Sequence, residues 1–185
     1  MTREILKANI EKALLELHHH DNHLLKNDGS ERSIAHCLAN HLQKIYADYH
    51  ADCEYNVNVD AANRRKEIIL PADEILRFRR SETNRNSIEV DDEIYYSVSV
   101  YPDIIVHKRG RNNQNLIIFE LKKSSSTVSY DYDKLKLCKY TGVFERSLRY
   151  RFGVFIDIAT KTTDNYKFKF KIFENGEEEE EYQIP

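Results

Sequence analysis

Two stretches decide the fold: Tyr101-Pro102-Asp103-Ile104-Ile105-Val106 and Leu116-Ile117-Ile118-Phe119-Glu120-Leu121-Lys122. Between them runs the turn-rich Lys108-Arg109-Gly110-Arg111-Asn112-Asn113-Gln114-Asn115. Folded antiparallel about the middle of that turn without a bulge, partners satisfy i + j = 223. Val106 then faces Ile117, Ile105 faces Ile118, and Asp103 faces Glu120, with opposed Cβ atoms about 4.5–5.5 Å apart. Side chains alternate faces along a strand, so Lys122 shares the face of Glu120. Both strands are otherwise apolar on both faces, which is the pattern of central strands covered on both sides. Two carboxylates opposed at the end of such a pair repel each other and resist desolvation. Folding tolerates them only if a cation sits between them or one is protonated. Oxygen-only ligands suit Mg²⁺ or Mn²⁺. With Lys122 one pleat on, two acids around a hard ion and an adjacent ammonium form an apparatus for phosphoryl chemistry.

Outward from this hairpin, the spacing of Leu6, Ile10, Ala13, Leu14 and Leu17 predicts a helix over residues 2–17. A polar break over 18–28 follows. A second helix is expected from Ser30 to about Tyr49, with Ile34, Leu38, Leu42 and Ile45 as its apolar stripe and Asp28 and Glu31 as a capping box. At 100° per residue Glu31 falls in the middle of that stripe, where an acid needs a partner. Tyr55, Val57 and Val59 alternate as in a strand. Residues 60–90 are charged and weakly patterned, with a short helix opening at Pro71 and running through Arg79. Residues 95–106 are β-rich, 131–144 read as a helix, and 152–158 and 166–173 as strands. The result is an α/β fold with a mixed central β-sheet flanked by α-helices. Its expected divisions are an N-terminal helical extension (1–27), the α/β domain (28–176) and a solvated, mobile acidic tail (177–185).

The arrangement of Pro102-Asp103 on one strand and Glu120-Leu121-Lys122 on the next resembles the PD-(D/E)XK nuclease superfamily, the restriction-endonuclease-like fold. The fuller string Pro102 to Gly110, then Asn115 to Lys123, and Asp133-Lys134-Leu135-Lys136-Leu137 with Thr141, is similar to an uncharacterised bacterial subgroup of it. The likeness covers roughly residues 30–175. It implies a restriction-endonuclease-like core and a metal-dependent endonuclease that hydrolyses DNA phosphodiester bonds. Asp103 and Glu120 would hold Mg²⁺ (or Mn²⁺) with the Leu121 carbonyl, and Glu31, on the first core helix, would bind directly or through water. Lys122 would orient the attacking water or stabilise charge on the phosphate, and Lys136 would contact the nucleic-acid backbone. An alternative of another class is a nuclease-fold binding module with little activity alone, working inside a defence or repair complex. A protein-binding domain without a metal site is a third.

Composition bounds these readings. The chain has 185 residues, 41% hydrophobic and 32% charged, with 5 Gly and 3 Pro, which excludes disordered and low-complexity classes. No apolar run approaches the roughly 20 residues of a membrane span. Cys37, Cys53 and Cys138 form neither a CxxC nor an even set, so a reduced, cytoplasmic protein is expected. Net charge is -3, and without the five glutamates of 177–181 the remainder carries +2. A polyanionic partner is therefore compatible with the charge. Lys108 and Arg109 at the hairpin tip, with Arg64-Arg65-Lys66 and Arg77-Arg79-Arg80, are the candidate phosphate contacts. His18, His19, His20 and His23 read as a solvated helix end, since three adjacent side chains fan around a helix. A homodimer or a protein partner is left open.

Overall fold

The computed structural model describes residues 1–77, 86–90, 92–127, 129–143, 148–161 and 167–185. Helix α1 (Arg3–His20) is followed by the short α2 (Asn22–Lys26) and by α3 (Glu31–Ile45). The strands are β1 (His50–Cys53), β2 (Glu67–Pro71), β3 (Asn86–Val90), β4 (Glu93–Ser99), β5 (Ile104–His107), β6 (Asn115–Lys123), β7 (Phe152–Ile158), β8 (Phe168–Glu174) and β9 (Glu177–Ile184). Helix α4 (Ala72–Arg77) follows β2, and α5 (Asp131–Thr141) joins β6 to β7.

Six strands form a mixed sheet in the order β1-β5-β6-β7-β8-β9, and β2, β4 and β3 make a second, three-stranded sheet. Only β6 and β7 run parallel in the large sheet, as the α5 crossover between them demands. The two apolar strands sit next to each other inside the sheet, and their register is Ile104 with Phe119, Ile105 with Ile118 and Val106 with Ile117. That is the predicted pairing; it slips by one only at the turn end, between Val106 and His107.

Alternation sends Ile104, Val106, Ile117, Phe119 and Leu121 into a core shared with α1 and α3. Ile105 and Ile118 face the other way, into a core completed by α5, by Ile68, Leu70 and Val98 of the small sheet, and by Val100 just after β4. This is a mixed α/β architecture with helices on both faces of the sheet. Among the described residues no helix is long and apolar enough to cross a membrane.

Several expectations need correcting. Helix α1 is no extension: Leu6, Ile10, Ala13, Leu14 and Leu17 are each at most 1% exposed in the main core. The cap of α3 is Ser30, whose hydroxyl accepts from the Ser33 N–H at 3.1 Å; the Asp28 carboxylate is instead bonded to Ser125, Thr160, Lys123 and Lys161. Asp28 and Glu31 therefore form no capping box. The first strand lies at residues 50–53, before the alternating Tyr55-Val57-Val59, of which Val57 makes an isolated bridge to Arg65.

The expected mobile tail is an edge strand. β9 pairs antiparallel with β8, where Lys171 stands opposite Glu181 and bonds Glu178. Opposite charges across the pair offset the repulsion of five adjacent acids. Arg79, Arg80, Phe144 and Tyr166 lie outside the described residues.

Candidate metal and phosphate site

The site is built at the C-terminal end of β6. Asp103 immediately precedes β5, and its Oδ2 accepts the Leu121 backbone N–H at 2.7 Å. This fixes the carboxyl beside the strand that carries Glu120. Glu120 is 2% exposed. Its Oε2 accepts from Lys136 Nζ at 2.7 Å and its Oε1 from the Tyr140 hydroxyl at 3.3 Å. Lys136 and Asp133 sit one helical turn apart on α5, 2.8 Å from each other. Asp133 also lies 3.3 Å from Lys122 Nζ, and Lys122 reaches Glu31 at 3.5 Å. Glu31 Oε1 accepts the Lys123 backbone N–H at 3.2 Å, tying the start of α3 to the end of β6.

Six charged side chains thus meet at one end of the sheet: Glu31, Asp103, Glu120, Asp133, Lys122 and Lys136. Four acids face two ammoniums. Burial pushes the Glu120 carboxyl up to about 8; Lys136 opposes that shift, and Asp103 and Asp133 add to it. Burial likewise raises Asp103 against the Leu121 N–H and the nearby lysines. Burial alone would lower Lys122 and Lys136, but the surrounding carboxylates outweigh it and hold both amines charged. The cluster is short of two positive charges when every acid is ionised, and one divalent ion matches that deficit.

The donors suit such an ion in kind: carboxylate oxygens, with no sulfur or imidazole. Oδ1 of Asp103 has no protein hydrogen bond among the described residues. Lys136 currently stands between Glu120 and Asp133, and no three His, Cys, Asp or Glu side chains among the described residues converge as a preformed metal cage. Asp103, Glu120 and the Leu121 carbonyl are the groups that would take the ion, with Lys136 withdrawing toward Asp133.

Among the remaining expected residues, Lys136 is buried at 9% exposure, so its place is inside the cluster and not on a nucleic-acid surface. Arg109 is exposed but locked in a two-pronged contact with Asp52, which also accepts from His107 at 2.9 Å. Lys108 lies over the Tyr49 ring at 5.2 Å. The histidines end α1 and start α2. His18 packs edge-on to Phe168, His20 contacts Glu16 and His23 contacts Asn27.

Asp133 was not among the expected site residues. Its signal was present in the i, i+3 pairing with Lys136, on a helix whose apolar pattern is weak because that face meets charge.

No family model matches this chain, and no curated protein matches it. A solved structure described as "Crystal structure of SSO0001" is similar to it at 15% identity and a TM-score of 0.31. That alignment covers 97% of this chain and 76% of the other. A likeness of that size carries no argument about fold family or activity.

Proposed function

We propose that this chain is a divalent-metal-dependent nuclease with a restriction-endonuclease-like core, hydrolysing phosphodiester bonds of DNA in the cytoplasm. One observation carries the reading. Asp103 stands beside the fully buried Glu120 at the end of a doubly apolar strand pair, with Lys122 one pleat on, in a cluster two positive charges short of balance when every acid is ionised. A carboxyl raised by burial, as Glu120 is, destabilises a fold when ionised, and such groups concentrate at functional sites.

A bound Mg²⁺ or Mn²⁺ would supply Lewis acidity at the phosphate and lower the pKa of a coordinated water. The protein's own groups do the rest. Asp103 and Glu120 hold negative charge at a fixed separation from the Leu121 backbone. Lys122, positioned by Asp133 and Glu31, donates to a non-bridging phosphate oxygen as charge develops there. Asp133 holds both lysines in place. The Tyr140 hydroxyl donates to Glu120 and sets its orientation.

The second reading, a nuclease-fold module with little activity alone, draws on a different fact. Lys136 and Tyr140 already satisfy Glu120 within the protein. Purified protein incubated with linear, branched and single-stranded DNA and with RNA separates the two. The nuclease reading expects cutting with Mg²⁺ or Mn²⁺, none with chelator, and a loss of about 10²-fold or more in Asp103→Ala and Lys122→Ala. Cutting that survives both substitutions rejects the mechanism. Metal-dependent stabilisation without cutting, lost in Asp103→Ala, favours the module.

A further inference from the structure

A second polar region lies toward the opposite end of the hairpin. A cleft of about 630 Å³ opens between the loop before β2, strand β4, the turn at Asn112 and Asn113, and the Leu148–Arg149 segment. That volume falls in the range of small-molecule sites. Arg65, Lys66 and Arg149 line it, and none of them has a carboxylate within ion-pair distance among the described residues. The two acids of the cleft are committed to neutral donors. Asp60 accepts from Asn112 at 2.8 Å, and Glu67 accepts from Asn63 at 2.8 Å and from Ser97 at 2.6 Å.

Lys66 is 2% exposed, and its amine donates to the Val57 carbonyl at 2.6 Å and lies 4.5 Å from the Tyr55 ring centroid. A buried ammonium with no carboxylate within ion-pair distance among the described residues is costly; burial draws this amine down to about 8, with Asp52 opposing from farther off. Arg149 is held at the rim in the left-handed region, φ 51, a conformation that costs energy for a side chain of this size. Two guanidiniums with no ion-pair partner among the described residues, beside a buried cation in a cleft walled with amides, match an anion that also carries hydrogen-bonding groups. Guanidinium groups bind phosphate oxygens in a two-pronged geometry that an ammonium cannot reproduce.

We infer that this cleft binds the phosphate of a nucleotide on Arg65 and Arg149, with the amide side chains of Asn58 and Asn113 meeting its sugar or base. The nucleotide is either free or a unit of a single strand; the phosphate chemistry is the same. The inference does not depend on hydrolysis at Asp103, because its test reads binding alone.

The test is isothermal titration of the full chain, in chelator, with AMP, adenosine and a five-nucleotide single strand. AMP or the strand is expected to bind at least ten-fold more tightly than adenosine. Arg65→Gln/Arg149→Gln is expected to weaken that binding at least ten-fold without changing the melting temperature. Should the double variant melt early, the single variants Arg65→Gln and Arg149→Gln carry the test, each expected to lose several-fold. Binding by AMP identifies the free nucleotide, and binding by the strand alone identifies the polymer. Failure of both to bind, adenosine binding as tightly as AMP, or binding undiminished in the variants overturns the inference.

Discussion

Lys136 Nζ lies 2.7 Å from Oε2 of Glu120, in the interior between α5 and β6. This buried ion pair organises the cluster: Lys136 also holds Asp133, which holds Lys122. Removing one partner of a buried pair leaves the other uncompensated. Lys136→Met is therefore expected to destabilise the fold by about 3–5 kcal/mol above pH 8, where Glu120 is ionised. Lys136→Met/Glu120→Gln is expected to recover part of that loss, because the orphaned charge is gone. Urea denaturation of both variants in chelator measures the difference.

The pH dependence of stability follows from Glu120. Its carboxyl is raised to about 8 in the folded protein, against about 4.3 for an ordinary glutamate. Between those values the native state keeps a proton that the unfolded chain has released, so Glu120 makes stability fall as pH rises from about 4 to about 8. Lys136 is raised, and its contribution persists below the unfolded lysine value, outside this window. Glu120→Gln should remove most of the decline, leaving the part due to Asp103, whose carboxyl burial also raises. Denaturation midpoints at pH 5, 6, 7 and 8 for both proteins check it; parallel curves would contradict it.

Asp28 ties the start of α3 to the ends of β6 and β7. It contacts Lys123 at 3.0 Å, Lys161 at 2.9 Å, Ser125 at 2.9 Å and Thr160 at 2.9 Å. The Lys161 and Lys123 contacts hold its carboxyl well below the usual range. The stability it contributes is present above about pH 3.9 and is lost as pH falls toward its folded value. Asp28→Asn keeps the tolerance for positive φ and removes the charge. Its stability deficit relative to the parent should be fully present at pH 6 and shrink below pH 4, as read by thermal melting across that range.

Gly153 permits α5 to sit close on β7. A Cβ there would lie 3.1 Å from Leu137 Cδ2, 3.1 Å from Thr141 Cγ2 and 3.2 Å from Phe173 Cβ. Gly153→Ala should cost about 1–3 kcal/mol by overpacking. It should also lift α5 and loosen the contact between Lys136 and Glu120. Chemical denaturation gives the first effect. The second is read as a higher pH at which the stability decline assigned to Glu120 ends, because Lys136 opposes the upward shift of that carboxyl.

The hairpin was legible because its information is local. Val106, Ile117 and their neighbours are apolar on both faces, and a turn between them leaves one register that brings Asp103 beside Glu120. Helices α1 and α3 were legible from spacing, although the burial of Leu6 and Leu14 against the sheet was not. The small sheet was missed because its strands are short and its pairing, such as Ile68 with Val98, is set by neighbours far along the chain. The 177–181 run misled for the same reason, since its stability rests on Lys171, on Lys134, and on Arg3, which contacts Glu174 and Glu179. Lys136 illustrates the limit for the site. Its charge suggested a surface role, and only the packing of α5 on β6 reveals it as the counter-ion of a buried acid.

The most direct test of the account is a crystal grown with Mn²⁺ and examined by anomalous scattering. The account predicts one ion within about 2.0–2.6 Å of carboxylate oxygens from both Asp103 and Glu120, with the Lys136 amine withdrawn toward Asp133. A map with no ion there at saturating Mn²⁺, and Lys136 still bonded to Glu120, would contradict it.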